Sequence, residues 1–207
     1  MTKAEELPGT GTEIDGKRLA GILEFLQAAE QLKDTLRSGT TGKGRPESTA
    51  EHSWRLALMP LLFEKELGNI NLLKLIKLAL IHDLGEAISG DVPAPLQQPG
   101  DDRQDRERRD FQSLCSPLPA DLAAELLALW DEYASAQTPE ARLAKAFDKL
   151  ETMLQHVLMP PQDAEFYRFN LTYGQDRTDY CLLTRQIREI VDSQTRILMK
   201  DAEVKTA

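Results

Sequence analysis

An all-α architecture, a single helical bundle of roughly seven or eight helices, is the expectation for this chain. Three observations lead to it. Apolar residues recur at spacings of three and four, as in Leu19, Ile22, Leu23, Leu26 and Ala29. Strand-like alternation of apolar and polar residues is nearly absent. Prolines sit between the periodic segments, Pro60 excepted.

The elements follow in order. Residues 1–14 are polar and contain glycine, which reads as a loose tail ahead of one domain over residues 15–200. A first helix is expected from Ile14 to Leu36, with Arg37 at its end, and Arg37 to Pro46 (RSGTTGKGRP) reads as loop. Ser48 stands at capping-box distance from Glu51, so a helix begins there. It runs to about Leu67 before Gly68, with a kink or short break at Pro60. Asn69 or Asn71 caps the next helix, which ends near Ile88 to Gly90. The stretch DVPAPLQQPG is proline-rich loop, and residues 101–115 form a charged helix whose mixed-sign run DDRQDRERRD is a solvated face. Leu122, Leu126, Leu129 and Trp130 share one stripe of a helix over Pro119 to Ala134. Thr138, Pro139 and Glu140 have the chemistry of N-cap, N1 and N2 for a helix reaching about Leu158. A last helix spans about Asp176 to Lys200. Its stripe of Leu182, Leu183, Ile187, Ile190, Val191, Ile197 and Leu198 either closes the core or docks on a second subunit. Trp54 and Trp130, set among apolar residues, are expected in the core.

Composition narrows the function. The 207 residues suffice for one sizeable core. Lys and Arg number 25 against 34 Asp and Glu, a net charge of −9, and there is no long basic cluster, so a nucleic-acid-binding face is not expected. A local basic pocket for one small anion remains compatible with that balance. No apolar run is long enough to span a bilayer, and the N-terminus has no apolar core of a signal peptide. The two cysteines, Cys115 and Cys181, are far apart and read as free thiols, which places the chain in the cytoplasm.

His82 and Asp83 stand side by side at the end of an apolar run. His52 lies on an upstream helix and Asp148 on a downstream one. An unpaired carboxylate in such surroundings costs several kcal/mol, so Asp83 and Asp148 each need a cation, an Arg or Lys, or backbone donors. Taken singly, each of the four reads as a hydrogen-bonded core residue or a cap. Taken together they are four potential ligands, on three segments, for one divalent ion, Mn, Co, Fe, Zn or Mg, and such an ion can activate water for phosphoester hydrolysis. Glu86 lies three residues after Asp83 and stays near the ligand face if the helix continues. Gly90 permits a sharp turn, Pro93 fixes the exit, and Asp91 then stands at the rim. On spacing alone Glu86 is equally a helix-end carboxylate, Asp91 a turn residue, and His156 a satisfied histidine.

The order H…HD…D, with LKDTLRSG (Leu32–Gly39), RPESTAEH (Arg45–His52), ALIHDLGEAISGDVPAP (Ala79–Pro95), LPADLAAELLALWDEY (Leu118–Tyr133) and AKAFDKLETMLQ (Ala144–Gln155), resembles the HD-domain phosphohydrolase superfamily. More narrowly it is similar to the HD-domain 5′-deoxynucleotidases. The resemblance implies an HD-domain bundle in which His52, His82, Asp83 and Asp148 hold the metal. It also implies that Glu86 activates the attacking water or passes its proton, and that Asp91 lies near the sugar hydroxyl and that water. Arg37 is implied as the substrate-gripping arginine, Arg45 as a second candidate, and a homodimer as the assembly. Binuclear members use extra histidines between HD and the distal Asp. None lies between Asp83 and Asp148 here, so one metal is expected. Some relatives place a Trp after the arginine to crowd out a 2′-hydroxyl, whereas Ser38 stands there in this chain. The expected activity is removal of the 5′-phosphate from a (deoxy)nucleoside monophosphate. The alternatives are hydrolysis of another phosphate ester or a pyrophosphate, nucleotide binding without turnover, and a purely structural helical protein.

Overall fold

In the computed structural model, which describes residues 13–97 and 100–206, helix α1 spans Gly16–Ala29, opened by the Asp15 carboxylate accepting from the Arg18 backbone N–H. Of the tail expected over residues 1–14, residues 1–12 lie outside the described residues, as do residues 98–99 of the proline-rich loop. The first helix is shorter than expected. A single 3₁₀ turn, Glu30–Lys33, follows it, and the chain then becomes extended. The expected loop is a small antiparallel hairpin of β1 (Leu36–Thr40) and β2 (Pro46–Ser48), with Leu36 opposite Ser48, Thr40 opposite Pro46 and an irregularity between. Arg37 therefore sits on a strand and not at a helix end. The Thr41 N–H bonds the Arg45 carbonyl and the Gly44 N–H bonds the Thr41 carbonyl, so the glycine-rich tip turns back on itself.

Ser48 closes the hairpin and starts α2 (Thr49–Leu62) with a complete capping box: its hydroxyl accepts from the Glu51 N–H, and the Glu51 carboxylate accepts from the Ser48 N–H. Pro60 has no N–H to offer to the preceding turn, and α2 ends two residues later, short of the expected Leu67. Asn71 caps α3 (Leu72–Ile81), its side chain accepting from the Lys74 N–H. The chain then breaks at His82–Gly85 before a single turn, α4 (Glu86–Ser89). The expected uninterrupted helix is thus two pieces, and the break holds His82 and Asp83.

Next come α5 (Arg103–Leu114), α6 (Ala120–Ser135) and the 20-residue α7 (Pro139–Leu158), whose Thr138 cap accepts from the Ala141 N–H. Two further pieces, α8 (Ala164–Thr172) and the single turn α9 (Gln175–Thr178), precede α10 (Leu182–Thr206). The last helix starts later than expected and runs past residue 200. The described residues thus form ten α-helical segments, two of them single turns, and one two-stranded sheet.

The core surrounds α7. Leu143, Phe147 and Leu150 pack with Leu56 of α2, Leu75 and Leu78 of α3, and Leu183 and Ile187 of α10. A second cluster joins Phe25, Ile81, Phe111, Leu114 and Trp130. Trp54 is not in either: it is 63% exposed. It lies two residues from both His52 and Leu56, hence on the outer face of α2. The stripe of α10 divides, with Val191 buried and Leu182, Ile190 and Ile197 exposed. Arg188, buried on α10, donates to the Asn170, Leu171 and Tyr173 carbonyls and so satisfies the free carbonyls at the end of α8. Leu75→Ala, which opens a hole in a fully buried site, is expected to cost roughly 2–5 kcal/mol in urea denaturation.

Candidate metal centre

Three elements converge on one point. His52, on α2 one turn past its capping box, is fully buried. His82 and Asp83 come from the break after α3, and Asp148 from the middle of α7. One ring nitrogen each of His52 and His82 and an Asp83 carboxylate oxygen all lie within 4.8 Å of one another. Asp148 Oδ1 is 3.3 Å from His52 Nε2, and Asp83 Oδ2 is 2.9 Å from His82 Nε2.

The orientation of both rings is set from behind. His82 Nδ1 donates to the Ala79 carbonyl at 3.0 Å, and His52 Nδ1 donates to the Glu151 carboxylate. In the neutral rings each Nε2 is the lone-pair nitrogen facing the acids, and each is buried without a hydrogen-bond partner. Two orphaned imidazole nitrogens beside two carboxylates fit a divalent cation of the borderline class.

The titration behaviour agrees. Burial resists ionisation of Asp83 and Asp148, yet the Asp83 carboxyl is held down to about 2 by His82 and His52, and Asp148 well below its usual range by Lys149 and the two imidazoles. Burial and Arg37 disfavour a charged His52, but Glu151 and Asp148 outweigh them and lift it to about 9. The cluster demands positive charge at this point.

A cavity of about 510 Å³ opens onto the cluster, lined by His82, Asp83 and Asp148 and also by Arg37, Glu86 and Asp91. Arg37 Nη1 is 3.6 Å from Asp83, its Nε 3.9 Å from Glu47, and its Nη2 donates to Thr152 Oγ1 at 2.9 Å. Glu86 is buried and its Oε2 accepts from Thr49 Oγ1 at 3.2 Å. Burial, then the Asp83 and Asp91 carboxylates, push its carboxyl up to about 10. Gly90, at φ 81°, makes the turn that returns Asp91 to the cavity. Gly85 is needed for a different reason. A Cβ there would lie 2.5 Å from the Glu107 carbonyl, so only glycine lets the turn between Asp83 and Glu86 rest against α5.

Arg45 is a correction. It is not among the residues that line this cavity. Its exposed guanidinium is taken by both Glu51 oxygens, at 2.5 and 3.1 Å, on the outer side of the hairpin.

Several participants escape sequence reasoning. Fully buried Glu151 accepts from His52 and from Arg55 Nε at 2.6 Å. Arg55 also donates to Gln155 Oε1 at 2.6 Å, and Gln155 Nε2 donates to the Thr40 carbonyl at 2.6 Å. The chain of bonds ties the His52 ring to the strand that carries Arg37. Tyr133 donates to Asp148 Oδ2 at 3.1 Å. His156 donates from Nδ1 to Asn170 Oδ1 at 2.7 Å and, with Phe166, Phe169 and Tyr173, forms an aromatic wall of the cavity. A signal for Glu151 existed, since it lies one helical turn from Asp148 in DKLE; the residues of α8 offered none.

Glu151→Gln keeps the shape and one acceptor but removes the charge behind His52. Calorimetric titration with Mn is expected to show affinity lower by about 10–100-fold, with the melting curve little changed. Gly85→Ala is expected to lower both metal affinity and stability, because α5 must move.

Comparison with known proteins places this geometry. Residues 29–183 match the HD domain family, a span that holds His52, His82, Asp83 and Asp148. The chain is 34% identical over 144 residues to the 5′-deoxynucleotidase HDDC2 of Bos taurus, covering 69% of each chain. It is 35% identical over 138 residues to the 5′-deoxynucleotidase HDDC2 of Mus musculus, covering 66% of this chain and 68% of that one. Among solved structures, a predicted metal-dependent phosphohydrolase from Magnetospirillum magnetotacticum superposes with a TM-score of 0.68 at 28% identity, over 92% of this chain and 95% of the other. With the His, His-Asp and Asp side chains gathered from α2, the break after α3 and α7 inside the matched span, the chain belongs to the HD-domain family.

Proposed function

We propose that this chain is a metal-dependent phosphohydrolase that removes the 5′-phosphate from (deoxy)nucleoside monophosphates. The observation that carries the reading is the pair of orphaned Nε2 atoms beside Asp83 and Asp148 in the wall of a cavity that also presents Arg37 and Glu86. The kinship with proteins named 5′-deoxynucleotidases supports the substrate class.

His52, His82, Asp83 and Asp148 are the ligands in this reading, for a single divalent ion. Such an ion supplies Lewis acidity, offsetting charge on the phosphoryl group and acidifying water. The protein does the rest by position. Arg37, held by Asp83, Glu47 and Thr152, offers its fork to phosphoryl oxygens without having to reorganise. Glu86 has Oε2 bound by Thr49; a cation offsetting the Asp83 charge would relieve what holds its carboxyl high, and Oε1 would then be free to accept the proton of the attacking water. Asp91, at the rim beyond Gly90, orients the sugar and that water. The aromatic residues on α8 offer an apolar face to the base.

The reading extends to a cytoplasmic homodimer. Two free cysteines support the compartment, and the exposed Leu182, Ile190 and Ile197 of α10 support self-association. No helix among the described residues is long and apolar enough to cross a membrane.

The test is orthophosphate release from the common ribo- and deoxyribonucleoside 5′-monophosphates after chelation and readdition of Mn, Co, Mg, Fe or Zn. Release only after a metal returns is expected, and Glu86→Gln should lower kcat about 10²–10⁴-fold while binding metal normally. Nucleotide binding with no release under any metal would leave a non-catalytic module. Release from other esters or pyrophosphates alone would move the chain to another substrate class.

A further inference from the structure

Five cations line the cavity: Arg37, Arg103, Lys145, Lys149 and Arg177. Four are committed to carboxylates: Arg37 to Asp83 and Glu47, Arg103 to Glu107, Lys149 to Asp148, and Arg177 to Asp176. Lys145 forms no ion pair among the described residues. Its ammonium lies over the Tyr133 ring, 4.0 Å from the centroid.

The placement of that ammonium follows from α7. Lys145, Asp148, Lys149 and Thr152 recur at i, i+3, i+4 and i+7, so they share one face, and all four line the cavity. Arg37 reaches α7 at Thr152, one turn C-terminal to Asp148. Lys145 stands one turn N-terminal to it. The two cations thus bracket the ligand carboxylate along about 10 Å of helix. Tyr133, the ring beneath the ammonium, holds Asp148 by its hydroxyl and lies 4.9 Å from the His82 ring, so a single ring separates Lys145 from the Asp148 and His82 side chains.

A half-buried ammonium facing an aromatic ring and a cavity lacks a full counter-charge. Burial, with Lys149 and Arg177, presses its pKa down to about 8 against the pull of Asp148 and Asp83. An anion entering the cavity would restore the balance. Arg37 is fixed in place by three partners, whereas a lysine is a point charge on a flexible stem that can follow a ligand.

We propose that Lys145 is a second cationic anchor for the phosphoryl group, gripping it from the side opposite Arg37. The inference rests on reading the cavity as a phosphate-ester site, and it concerns binding and not turnover.

The test uses the full chain loaded with Mn and orthophosphate as the probe, titrated calorimetrically. Lys145→Gln is expected to weaken orthophosphate about tenfold, the scale of one charge-assisted hydrogen bond. Lys145→Met, which keeps the stem over Tyr133, should do the same, and Lys145→Arg should recover most of the affinity. Mn affinity should stay level or rise slightly, since a cation beside the ligands has gone. Orthophosphate affinity within about twofold of the wild type in Lys145→Gln and Lys145→Met would overturn the proposal. Equal losses of Mn and orthophosphate affinity would mark a structural role and overturn it too, as would a wild-type holoprotein that ignores millimolar orthophosphate. Binding of orthophosphate that depends on Lys145, in a protein that hydrolyses no nucleotide, would sustain this inference and defeat the proposed activity.

Discussion

Uncompensated negative charge around two buried imidazoles governs this structure. Asp83 and Asp148 sit against His52 and His82, and Glu86, Asp91, Glu47 and Glu151 lie within the same electrostatic neighbourhood. Like charges brought together in a poorly solvated interior are costly unless a cation answers them. Arg37 and Lys149 answer part of the demand from the protein side, and the two orphaned Nε2 atoms mark where the remainder is to be met. Each of these buried groups then needs its own support, and much of the surrounding structure is accordingly polar yet buried.

Helix α7 distributes that support because it has two faces. Leu143, Phe147 and Leu150 bind it into the core, while Lys145, Asp148, Lys149 and Thr152 look into the cavity. Glu151 stands between the faces and accepts from His52 and Arg55. Through Arg55 and Gln155 the same network reaches the backbone of β1, so the His52 ring and the strand that carries Arg37 are registered by one set of hydrogen bonds. A group carried on a paired strand and tied to α7 is held more closely than one on an open loop, which is the condition for preorganised recognition of a phosphoryl group.

The break after α3 has a comparable role. An unbroken helix through residues 72–89 would send His82, Asp83 and Glu86 around its axis at 100° steps. The turn at His82–Gly85, pressed on α5 at Gly85, where a Cβ cannot fit, lets His82 and Asp83 face a common point with Glu86 still lining the same cavity. Backbone irregularity here is part of the site, consistent with the way ligand sets are built from element ends.

Much of the architecture could be read from local patterns. The caps at Ser48, Asn71 and Thr138 and the full length of α7 are set by side chains a few residues apart, so the information lies in the chain itself. His52, His82, Asp83 and Asp148 also stood out in the chain, because a buried acid or histidine needs a partner, though each alone reads equally as a bonded core residue. What local pattern could not supply was pairing at a distance. The hairpin exists because Leu36 meets Ser48 and Thr40 meets Pro46, contacts invisible to a window that sees glycine-rich loop. Arg45 looks as suited to phosphate as Arg37 until the capping-box glutamate claims it on the outer side. Trp54 looks like core until the burial of His52 and Leu56 fixes which face of α2 turns outward. Residue type and spacing decide which groups are available; only packing, by spending some charges on partners and leaving others unpaired, decides which of them meet a ligand.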